Sequence, residues 1–501
     1  MMGTQAMEMD HTGVKGGLLI GGTWRDAPRC IANRSPSDID DVIGEFALGD
    51  AADVEEALHA ARTALKTWGR SNPQWRADIL RRTGDILLRE AGRLGRILAR
   101  EEGKLLVEAR GEVMRAVQIF YYFSGECLRP PGQFLPSVRD GFNVTVAREP
   151  VGVVAAITPW NFPIAIPAWK TAGALAFGNT VVLKPSEITP ASAAIMADAL
   201  AEAGLPDGVF NLIGGLGADI GTALIRGADA VSFTGSGPTG RIVLMEAARA
   251  MKKVQLELGG KSPIVVLADA DLDLAIDNAI DGAFRQTGQR CTASSRIVVE
   301  AAIHDEFAER MAARVAALKV GHALEDGHDM GPVTTEAQLA KNIAFVGEAQ
   351  GEGAELLCGG HALERRTRGH FFAPALFAGT DNAMRLNREE VFGPVAGIIK
   401  VGDLDEAIAV AADTEYGLSA AICTRNLTAA EKFRREVPSG MVVINGSTSG
   451  SDYHAPFGGR RGSGYGIREQ GNAAAEFFTE IKTTYFNHAL APLGAGGGVK
   501  F

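Results

Sequence analysis

The fold is decided by the stretch VGVVAAITPWNFP at residues 151–163, in which an apolar run of strand length ends in a polar corner flanked by prolines. Similar short apolar runs return at 180–183, 230–233, 263–267 and 441–444, and each ends in a polar or glycine-rich turn. Helical stretches follow these runs. Short buried strands that alternate with helices are typical of parallel sheets built from βαβ units. The sequence therefore predicts an α/β fold.

Helical periodicity on either side of these runs supports the same fold class. From Asp50, a predicted N-cap, apolar residues fall on one face of a helix that reaches Trp68. A second amphipathic helix is predicted over about 77–100. Three further helices and a closing edge or arm strand are predicted over 271–284, 304–318, 404–412 and 479–486.

In parallel sheets ligands bind outside the carboxyl ends of the strands, so polar residues directly after the apolar runs form the expected site. These residues are Pro159-Trp160-Asn161, Lys184-Pro185-Ser186-Glu187, Thr234-Gly235-Ser236 and Asn445-Gly446. The pattern GxG at 215–217, followed by Gly221, is one residue too long for a dinucleotide fingerprint and predicts a turn and a helix start. The string FTGS at 233–236 is the better phosphate site, because a helix starting there presents its N–H groups to a pyrophosphate.

The composition argues against several classes of protein. Among 501 residues, 50 Lys and Arg are interleaved with 60 Asp and Glu, for a formal net charge of -10. This is not the basic footprint of a nucleic-acid binder. The most apolar stretch, 163–177, is interrupted by Pro167 and Lys170, so no membrane span is predicted. The five cysteines form no CxxC pair, which predicts neither a metal site nor disulfides and favours the reducing cytoplasm.

Two residues are candidate catalytic groups. Cys291 stands in GQRCT at 288–292, where the neighbouring cation of Arg290 is expected to favour the thiolate, the reactive form of cysteine. The alternative is a small buried hydrophobe, which is our interpretation of the other four cysteines. Glu257 stands between two leucines, and a carboxylate in apolar surroundings has a raised pKa and can act as a general base. Its alternative is a solvated charge at a helix end.

Two further side chains at strand ends leave a structural and a functional interpretation open. Asn161, in its aromatic and proline corner, either satisfies the backbone of a turn or donates to a developing oxyanion. Lys184, directly after an apolar run, either hydrogen-bonds ribose hydroxyls or is a solvated lysine at the end of a strand.

Together these strings resemble the aldehyde dehydrogenase superfamily, in the right order and over nearly the whole chain. The matching strings are PWNFP at 159–163, KPSE at 184–187, FTGS at 233–236, ELGGK at 257–261, GQRC at 288–291 and EVFGP at 390–394. The resemblance implies a three-part subunit that forms a homodimer or homotetramer. Its parts are a Rossmann-like cofactor domain from 1–128 and 148–259, an α/β catalytic domain from 260–471, and a β oligomerisation arm from 129–147 and 472–501.

The resemblance also implies a mechanism. Cys291 attacks the carbon of an aldehyde, and the Asn161 amide and the Cys291 backbone N–H stabilise the oxyanion. Hydride passes to a nicotinamide cofactor, which leaves a thioester on the cysteine. Glu257 then activates the water that hydrolyses this thioester, and Glu469 supports Glu257.

The cofactor implied by the resemblance is NAD, with NADP as the alternative. Glu187 would accept hydrogen bonds from the adenosine 2′-hydroxyl and repel a 2′-phosphate, which favours NAD. Lys184 would share that ribose, Ser236 would bind the pyrophosphate, and Glu390 with Phe392 would position the nicotinamide ribose. The full set of implied cofactor residues is Trp160, Lys184, Ser186, Glu187, Gly235, Ser236, Glu390 and Phe392.

Within the superfamily, the strings at 163–170, 288–296 and 451–459 resemble the 2-oxoglutarate semialdehyde (2,5-dioxopentanoate) dehydrogenase branch. That substrate carries a carboxylate, for which Arg290 would be an anchor, with Thr292 beside it. Alternatively, Arg290 only lowers the pKa of Cys291 or faces a structural carboxylate. Succinate, glutarate or aromatic aldehydes are alternative substrates. A CoA-acylating enzyme or a non-catalytic relative is disfavoured, because Glu257 is retained together with Cys291.

Overall fold

The computed structural model describes residues 13–129 and 132–488. Its strands fall into four sheets. Their bounds are β1 (Leu18–Ile20), β2 (Thr23–Arg25), β3 (Cys30–Ser35), β4 (Asp38–Ala47), β5 (Gln133–Pro136), β6 (Phe142–Pro150), β7 (Val153–Ile157), β8 (Thr180–Lys184), β9 (Phe210–Leu212), β10 (Ala230–Thr234), β11 (Lys253–Glu257), β12 (Ser262–Val266), β13 (Ser294–Glu300), β14 (Glu355–Cys358), β15 (Ala375–Ala378), β16 (Val395–Val401), β17 (Ser419–Cys423), β18 (Met441–Ile444), β19 (Gly464–Tyr465) and β20 (Thr479–Asn487).

Helices alternate with most of these strands, as expected for βαβ units. Their bounds are α1 (Ala51–Trp68), α2 (Pro73–Arg89), α3 (Ala91–Glu102), α4 (Leu106–Glu126), α5 (Ala165–Ala176), α6 (Pro190–Glu202), α7 (Gly217–Gly227), α8 (Gly237–Arg249), α9 (Leu272–Phe284), α10 (His304–Ala316), α11 (Glu336–Gly351), α12 (Arg385–Arg388), α13 (Leu404–Ala412), α14 (Leu427–Glu436) and α15 (Ala474–Phe478). The predicted α/β architecture is confirmed.

The first sheet has the strand order β19-β11-β10-β7-β8-β9-β1-β2, and its five strands from β11 to β9 are parallel. The register pairs Ile157 with Lys184 and Thr234 with Glu257. Because parallel strands end at the same edge, this register places the polar residues that follow β7, β8, β10 and β11 along one edge, where the sequence predicts the site.

The second sheet, in the order β14-β15-β16-β13-β12-β17-β18, is parallel except for its edge strand β14. The segment 285–293 connects α9 to the central strand β13 of this sheet and carries Cys291. The third sheet, β20-β6-β5, is antiparallel. The long pairing of β20 with β6 runs from Thr479 opposite Pro150 to Asn487 opposite Phe142. The predicted terminal strand is therefore confirmed.

One helix prediction needs correction. The stretch predicted as a single helix over about 77–100 is two helices, α2 and α3, separated at Glu90. The first begins earlier than predicted because Asn72 caps it and Pro73 occupies its first turn. At α1 the predicted cap is confirmed, since the Asp50 carboxylate accepts from the N–H groups of Ala52 and Asp53.

Among the described residues, no helix is both long and apolar enough to cross a bilayer. The described part of the chain likewise holds no group of three or more His, Cys, Asp or Glu side chains placed to bind a metal ion.

Candidate active site

A cavity of about 320 Å³ opens at the predicted edge of the first sheet. The ends of β10 and β11, one face of α4, and the loops around 286–292 and 449–457 line it. The lining side chains that matter for chemistry are Glu108, Glu112, Arg115, Phe162, Trp169, Thr234, Glu257, Arg290, Cys291, Thr292 and Ser451. The structure therefore brings Cys291 and Glu257 together in one cavity, although 33 residues separate them in the chain.

A left-handed turn presents Cys291 to the cavity. Gln286, Thr287 and Gly288 have φ of 50°, 57° and 62°, a region that costs non-glycine residues about 1–2 kcal/mol each. Hydrogen bonds hold the turn, because the Gln286 N–H donates to Glu108 Oε1 at 2.9 Å and Thr287 Oγ1 donates to a carbonyl oxygen at 3.2 Å. At Gly288 a Cβ would lie 2.5 Å from the carbonyl oxygen of residue 393, so the turn requires glycine there.

The thiol of Cys291 is protonated in this arrangement. Burial, together with the negative charges of Glu390 and Glu257, raises its pKa to about 12. The expectation that Arg290 favours the thiolate is wrong here, because the Arg290 Nε–H donates to the Gln286 side chain at 2.5 Å and the charge facing it is Glu108. The thiol needs a base, and the carboxylates around it are the groups able to serve.

Glu257 is the last residue of β11 and is 2% exposed, so it is not a solvated charge at a helix end. Burial raises its pKa well above 4.5, and the negative charge of Glu469 adds to the increase. Its Oε2 accepts from the Gly459 N–H at 3.3 Å, while Oε1 has no hydrogen-bond partner within the described residues. Gly458, with φ of 150°, would place a Cβ 2.3 Å from that Oε1, so a side chain at 458 would displace the carboxylate.

Behind Glu257 lies a buried polar cluster around Glu469. Glu469 forms an ion pair with Lys170, and its Oε2 accepts from the indole Nε1–H of Trp169 at 2.6 Å. Lys170 Nζ also donates to Ser232 Oγ at 2.8 Å. Sequence reasoning found Glu469 but missed Lys170, although a lysine inside the apolar stretch 163–177 was the available signal.

Hydrogen bonds hold Asn161 at both its side-chain amide and its backbone carbonyl. Its amide Nδ2–H donates to the backbone carbonyl of Gln289 at 2.9 Å, two residues before Cys291, and its own carbonyl accepts from Lys104 Nζ at 2.7 Å. Lys104 is fully buried and pairs with Glu112 at 2.6 Å. The amide therefore lies against the Cys291 turn and is more than a turn residue. Sequence reasoning missed Lys104 and Glu112, which are far from any recognised string.

The predicted adenosine-side residues gather at the end of β8. Lys184 is buried rather than solvated, and its Nζ lies 3.0 Å from the Pro185 carbonyl oxygen and 3.7 Å from the Glu187 carboxylate. Burial lowers the pKa of this lysine. Ser186 Oγ accepts from the N–H two residues later at 3.2 Å. Ser186 and Glu187 line a small cavity together with glycines 214 and 215, just before α7, where the predicted helix start is confirmed.

Helix α8 begins directly after the FTGS string. Ser236 occupies its N-cap position without a side-chain cap bond, because its Oγ pairs with Thr239 Oγ1 at 2.9 Å. The Gly235 N–H donates to the Glu257 carbonyl at 3.1 Å. The uncapped N–H groups of the first turn are therefore available to an anion.

The remaining predicted cofactor residues are Trp160, Glu390 and Phe392. Glu390 Oε1 accepts from the Gly260 N–H at 2.9 Å, which joins the EVFGP string to the ELGGK string. The rings of Trp160 and Phe392 pack edge to face at 5.3 Å. Phe392 adopts φ of 60°, which is uncommon for a residue other than glycine.

The two predicted substrate residues both line the cavity. Thr292 contributes its backbone as well, because its carbonyl accepts from Thr448 Oγ1 at 2.5 Å. Thr448 also lies 2.6 Å from Ser294 Oγ. These bonds tie the start of the 449–457 loop, whose residues 449–451 line the cavity, to the segment after Cys291.

A model of the aldehyde dehydrogenase family matches residues 24–484. The chain belongs to the aldehyde dehydrogenase family. The sequence-based predictions of this family, of its fold and of an aldehyde-oxidising enzyme are therefore confirmed.

Individual members of the aldehyde dehydrogenase family are similar to this chain over nearly all of its length. The alpha-ketoglutaric semialdehyde dehydrogenase of Bacillus subtilis is 40% identical over 472 residues, which cover 93% of this chain and 97% of the relative. The alpha-ketoglutarate semialdehyde dehydrogenase of Haloferax volcanii is 43% identical, covering 90% and 94%. The crystal structure of a betaine aldehyde dehydrogenase from Staphylococcus aureus in complex with NAD+ superimposes with a TM-score of 0.93 at 32% identity, covering 97% of each chain.

Proposed function

We propose that this aldehyde dehydrogenase oxidises 2-oxoglutarate semialdehyde to 2-oxoglutarate, with water supplying the added oxygen and NAD+ accepting the hydride. The observation that carries the proposal is one cavity that holds Cys291, Glu257 and two arginines. The relatives named for alpha-ketoglutarate semialdehyde support the substrate, and the structural relative in complex with NAD+ supports the cofactor.

The residues at the edge of the first sheet fit a dinucleotide. The uncapped start of α8, at Gly235 and Ser236, suits a pyrophosphate. Lys184 and Glu187 would bind the adenosine ribose, beside Ser186. A carboxylate at Glu187 accepts from a 2′-hydroxyl and repels a 2′-phosphate, so NAD is preferred, with NADP as the alternative.

The other end of the dinucleotide would lie near Cys291. Glu390 and Phe392 would position the nicotinamide ribose, with Trp160 against the Phe392 ring. When bound, NAD supplies the acceptor for the hydride that leaves the aldehyde carbon.

The protein's own groups account for the other steps. The Glu390 carboxylate takes the proton of the Cys291 thiol, and the thiolate attacks the aldehyde carbon. The Asn161 amide and the Cys291 backbone N–H stabilise the resulting oxyanion, and each such donor contributes about 3 kcal/mol. After hydride loss, Glu257 accepts a proton from water as that water attacks the thioester. Glu469 supports this base through its negative charge, which raises the pKa of Glu257.

The charges of the cavity favour an anionic substrate. Arg115 and Arg290 line it, whereas its carboxylates Glu108, Glu112 and Glu257 each accept hydrogen bonds from protein groups. A quaternary ammonium such as betaine aldehyde is recognised by aromatic cages and would be repelled by two guanidinium groups. Arg290 and Thr292 remain proposed substrate contacts on this account.

The test is NADH or NADPH formation at 340 nm with an aldehyde panel. The panel contains 2-oxoglutarate, succinate and glutarate semialdehydes, pentanal, benzaldehyde and betaine aldehyde, each with NAD and with NADP. We expect kcat/KM for 2-oxoglutarate semialdehyde with NAD to exceed that for pentanal by at least about tenfold, because a charge-assisted hydrogen bond contributes about 1.5–3 kcal/mol. Faster turnover of pentanal or betaine aldehyde would refute the substrate, and a preference for NADP would refute the role of Glu187.

We also propose that the third sheet assembles the protein into a homodimer or homotetramer. Strand β20 is an edge strand whose unpaired backbone groups can pair with another chain. It carries the exposed apolar side chains Ile481, Tyr485 and Phe486. Light scattering should give at least twice the mass of one chain, and Ile481→Lys should lower it; a monomeric wild type would contradict the proposal.

The three-part subunit is proposed with the boundaries 1–128 and 148–259, 260–471, and 129–147 and 472–501. The sheets support it, since β12 to β18 all lie within 260–471 and β20 pairs with β6. Residues 1–12, 130–131 and 489–501 lie outside the described part of the chain. Limited proteolysis that cut first within β12 to β18, and not near these boundaries, would contradict the division.

We place the enzyme in the cytoplasm. All five cysteines are free, which suits a reducing compartment. Recovery of the activity in a membrane or secreted fraction of the source cells would contradict this assignment.

A further inference from the structure

The two arginines of the cavity differ in how they are engaged. Arg290 donates its Nε–H to the Gln286 side chain at 2.5 Å and faces the charge of Glu108. Arg115, on α4, has no carboxylate within the 4.0 Å ion-pair distance among the described residues; the acidic side chain that attracts it, Asp452, is exposed and beyond that distance. Among the described residues neither arginine therefore has a counter-ion in contact, but the Nε–H of Arg290 is already bonded to Gln286, whereas the Nε–H of Arg115 has no protein acceptor.

The acidic residues on the same face of α4 do not supply that counter-ion. Both oxygens of Glu112 are engaged, Oε1 by the N–H groups of Ile164 and Ala165 and Oε2 by Lys104. Both oxygens of Glu108 are engaged as well, by the N–H groups of Leu105 and Gln286.

Neutral groups hold the Arg115 guanidinium in place. Its Nη2 donates to Ser451 Oγ at 3.2 Å and to Gln470 Oε1 at 3.1 Å. Its Cζ lies 5.7 Å from the centre of the Tyr453 ring. Since both acceptors contact Nη2, the Nε–H and the Nη1 N–H groups remain for a ligand, and each can donate a charge-assisted hydrogen bond to a carboxylate.

The position of Arg115 along α4 sets the direction of the ligand. Glu108, seven residues earlier on the same face, binds the N–H of Gln286 in the turn that presents Cys291. At 1.5 Å per residue, Arg115 lies about 10 Å further along the helix. A short chain with its carboxylate at Arg115 therefore points its other end towards the Cys291 turn.

We propose that Arg115 binds the carboxylate of the substrate and is the residue that selects carboxylated aldehydes over uncharged ones. This inference rests on the proposed function, because it requires an aldehyde that carries a carboxylate. Arg290, engaged by Gln286, then shapes the cavity near Cys291 and is not the primary anchor.

The test compares Arg115→Met with Arg290→Met, using 2-oxoglutarate semialdehyde and pentanal as substrates. Arg110→Met is the matched control, because Arg110 is an exposed arginine of the same helix. We expect Arg115→Met to raise KM for the semialdehyde about 10- to 100-fold and to leave kcat and KM for pentanal within about twofold. Arg115→Lys, which keeps the charge but not the guanidinium, should fall between wild type and Arg115→Met.

The outcomes separate this inference from the proposed function. If wild type itself prefers pentanal or betaine aldehyde, the proposed function fails and the inference with it. If wild type prefers the semialdehyde, but Arg290→Met loses that preference and Arg115→Met keeps it, only the Arg115 assignment is overturned. Should Arg115→Met not fold, as judged by circular dichroism, Arg115→Lys and competitive inhibition of wild type and Arg115→Lys by glutarate decide. Unchanged glutarate inhibition in the lysine variant would also overturn the assignment.

Discussion

Replacing Cys291 with alanine is expected to lower kcat for aldehyde oxidation by about 10⁵-fold or more, because no other group in the cavity can form the thioester. The measurement is NADH formation at 340 nm with 2-oxoglutarate semialdehyde. The variant is assayed at high enzyme concentration so that a residual rate can be measured. Its stock must be free of wild-type enzyme, because a trace of wild type would give a rate of that size.

Cys30→Ala is the matched control, because Cys30 is exposed and does not line the cavity. It lies on β3, which pairs with β4 in a separate two-stranded sheet. The kcat of Cys30→Ala should equal that of wild type. If Cys291→Ala retained activity within tenfold of wild type while still folded, thioester chemistry at this position would be wrong.

Replacing Glu257 with glutamine is expected to lower steady-state kcat by about 10²- to 10⁴-fold, the range that a positioned general base contributes. The amplitude of the first turnover should survive, because oxidation to the thioester precedes hydrolysis. Stopped-flow absorbance should therefore show one NADH per subunit followed by a very slow steady phase. Loss of the burst amplitude, with the thiol still able to be alkylated, would show that Glu257 acts before the thioester rather than on it.

The pH dependence of hydrolysis gives a second test of the same carboxylate. Glu257 acts as a base only when deprotonated, so kcat should rise with pH through its raised pKa. Glu469 contributes to that raised pKa through its negative charge, so Glu469→Gln should move the rising limb of the profile to lower pH. A shift to higher pH would contradict the support that we assign to Glu469.

Much of the fold could be predicted from the sequence because the signals are local. Apolar runs found β7, β8, β10, β12 and β18, and the polar residues after β7, β8 and β10 do lie along one edge of the first sheet. Asn445 and Gly446 do not, because they follow β18 of the second sheet. The division of 77–100 into two helices was missed, because one continuous amphipathic pattern does not reveal a break when both pieces pack on α4 and α6.

The electrostatics of the site could not be predicted because they depend on distant residues. Arg290 stands next to Cys291 in the sequence, yet the pKa of Cys291 is set by burial and by Glu390 and Glu257. These two carboxylates lie 99 positions later and 34 positions earlier in the chain. The support of Asn161 by Lys104 was equally out of reach, since it joins residues 57 apart. Gln286 and Thr287 also give no local hint of a left-handed turn, because their side chains disfavour it.

The walls of the cavity are of two kinds, and this difference bears on how the enzyme can change over evolution. On one side, buried hydrogen bonds fix Asn161, Glu257 and the Cys291 turn. The last of these bonds along the chain joins Thr448 Oγ1 to the Thr292 carbonyl. Beyond Thr448, residues 450–452 are exposed. Substitutions there can alter which aldehydes enter while the reacting groups keep their geometry. Natural drift in substrate range, or a library built to redirect it, should therefore concentrate on this short stretch and the facing positions of α4.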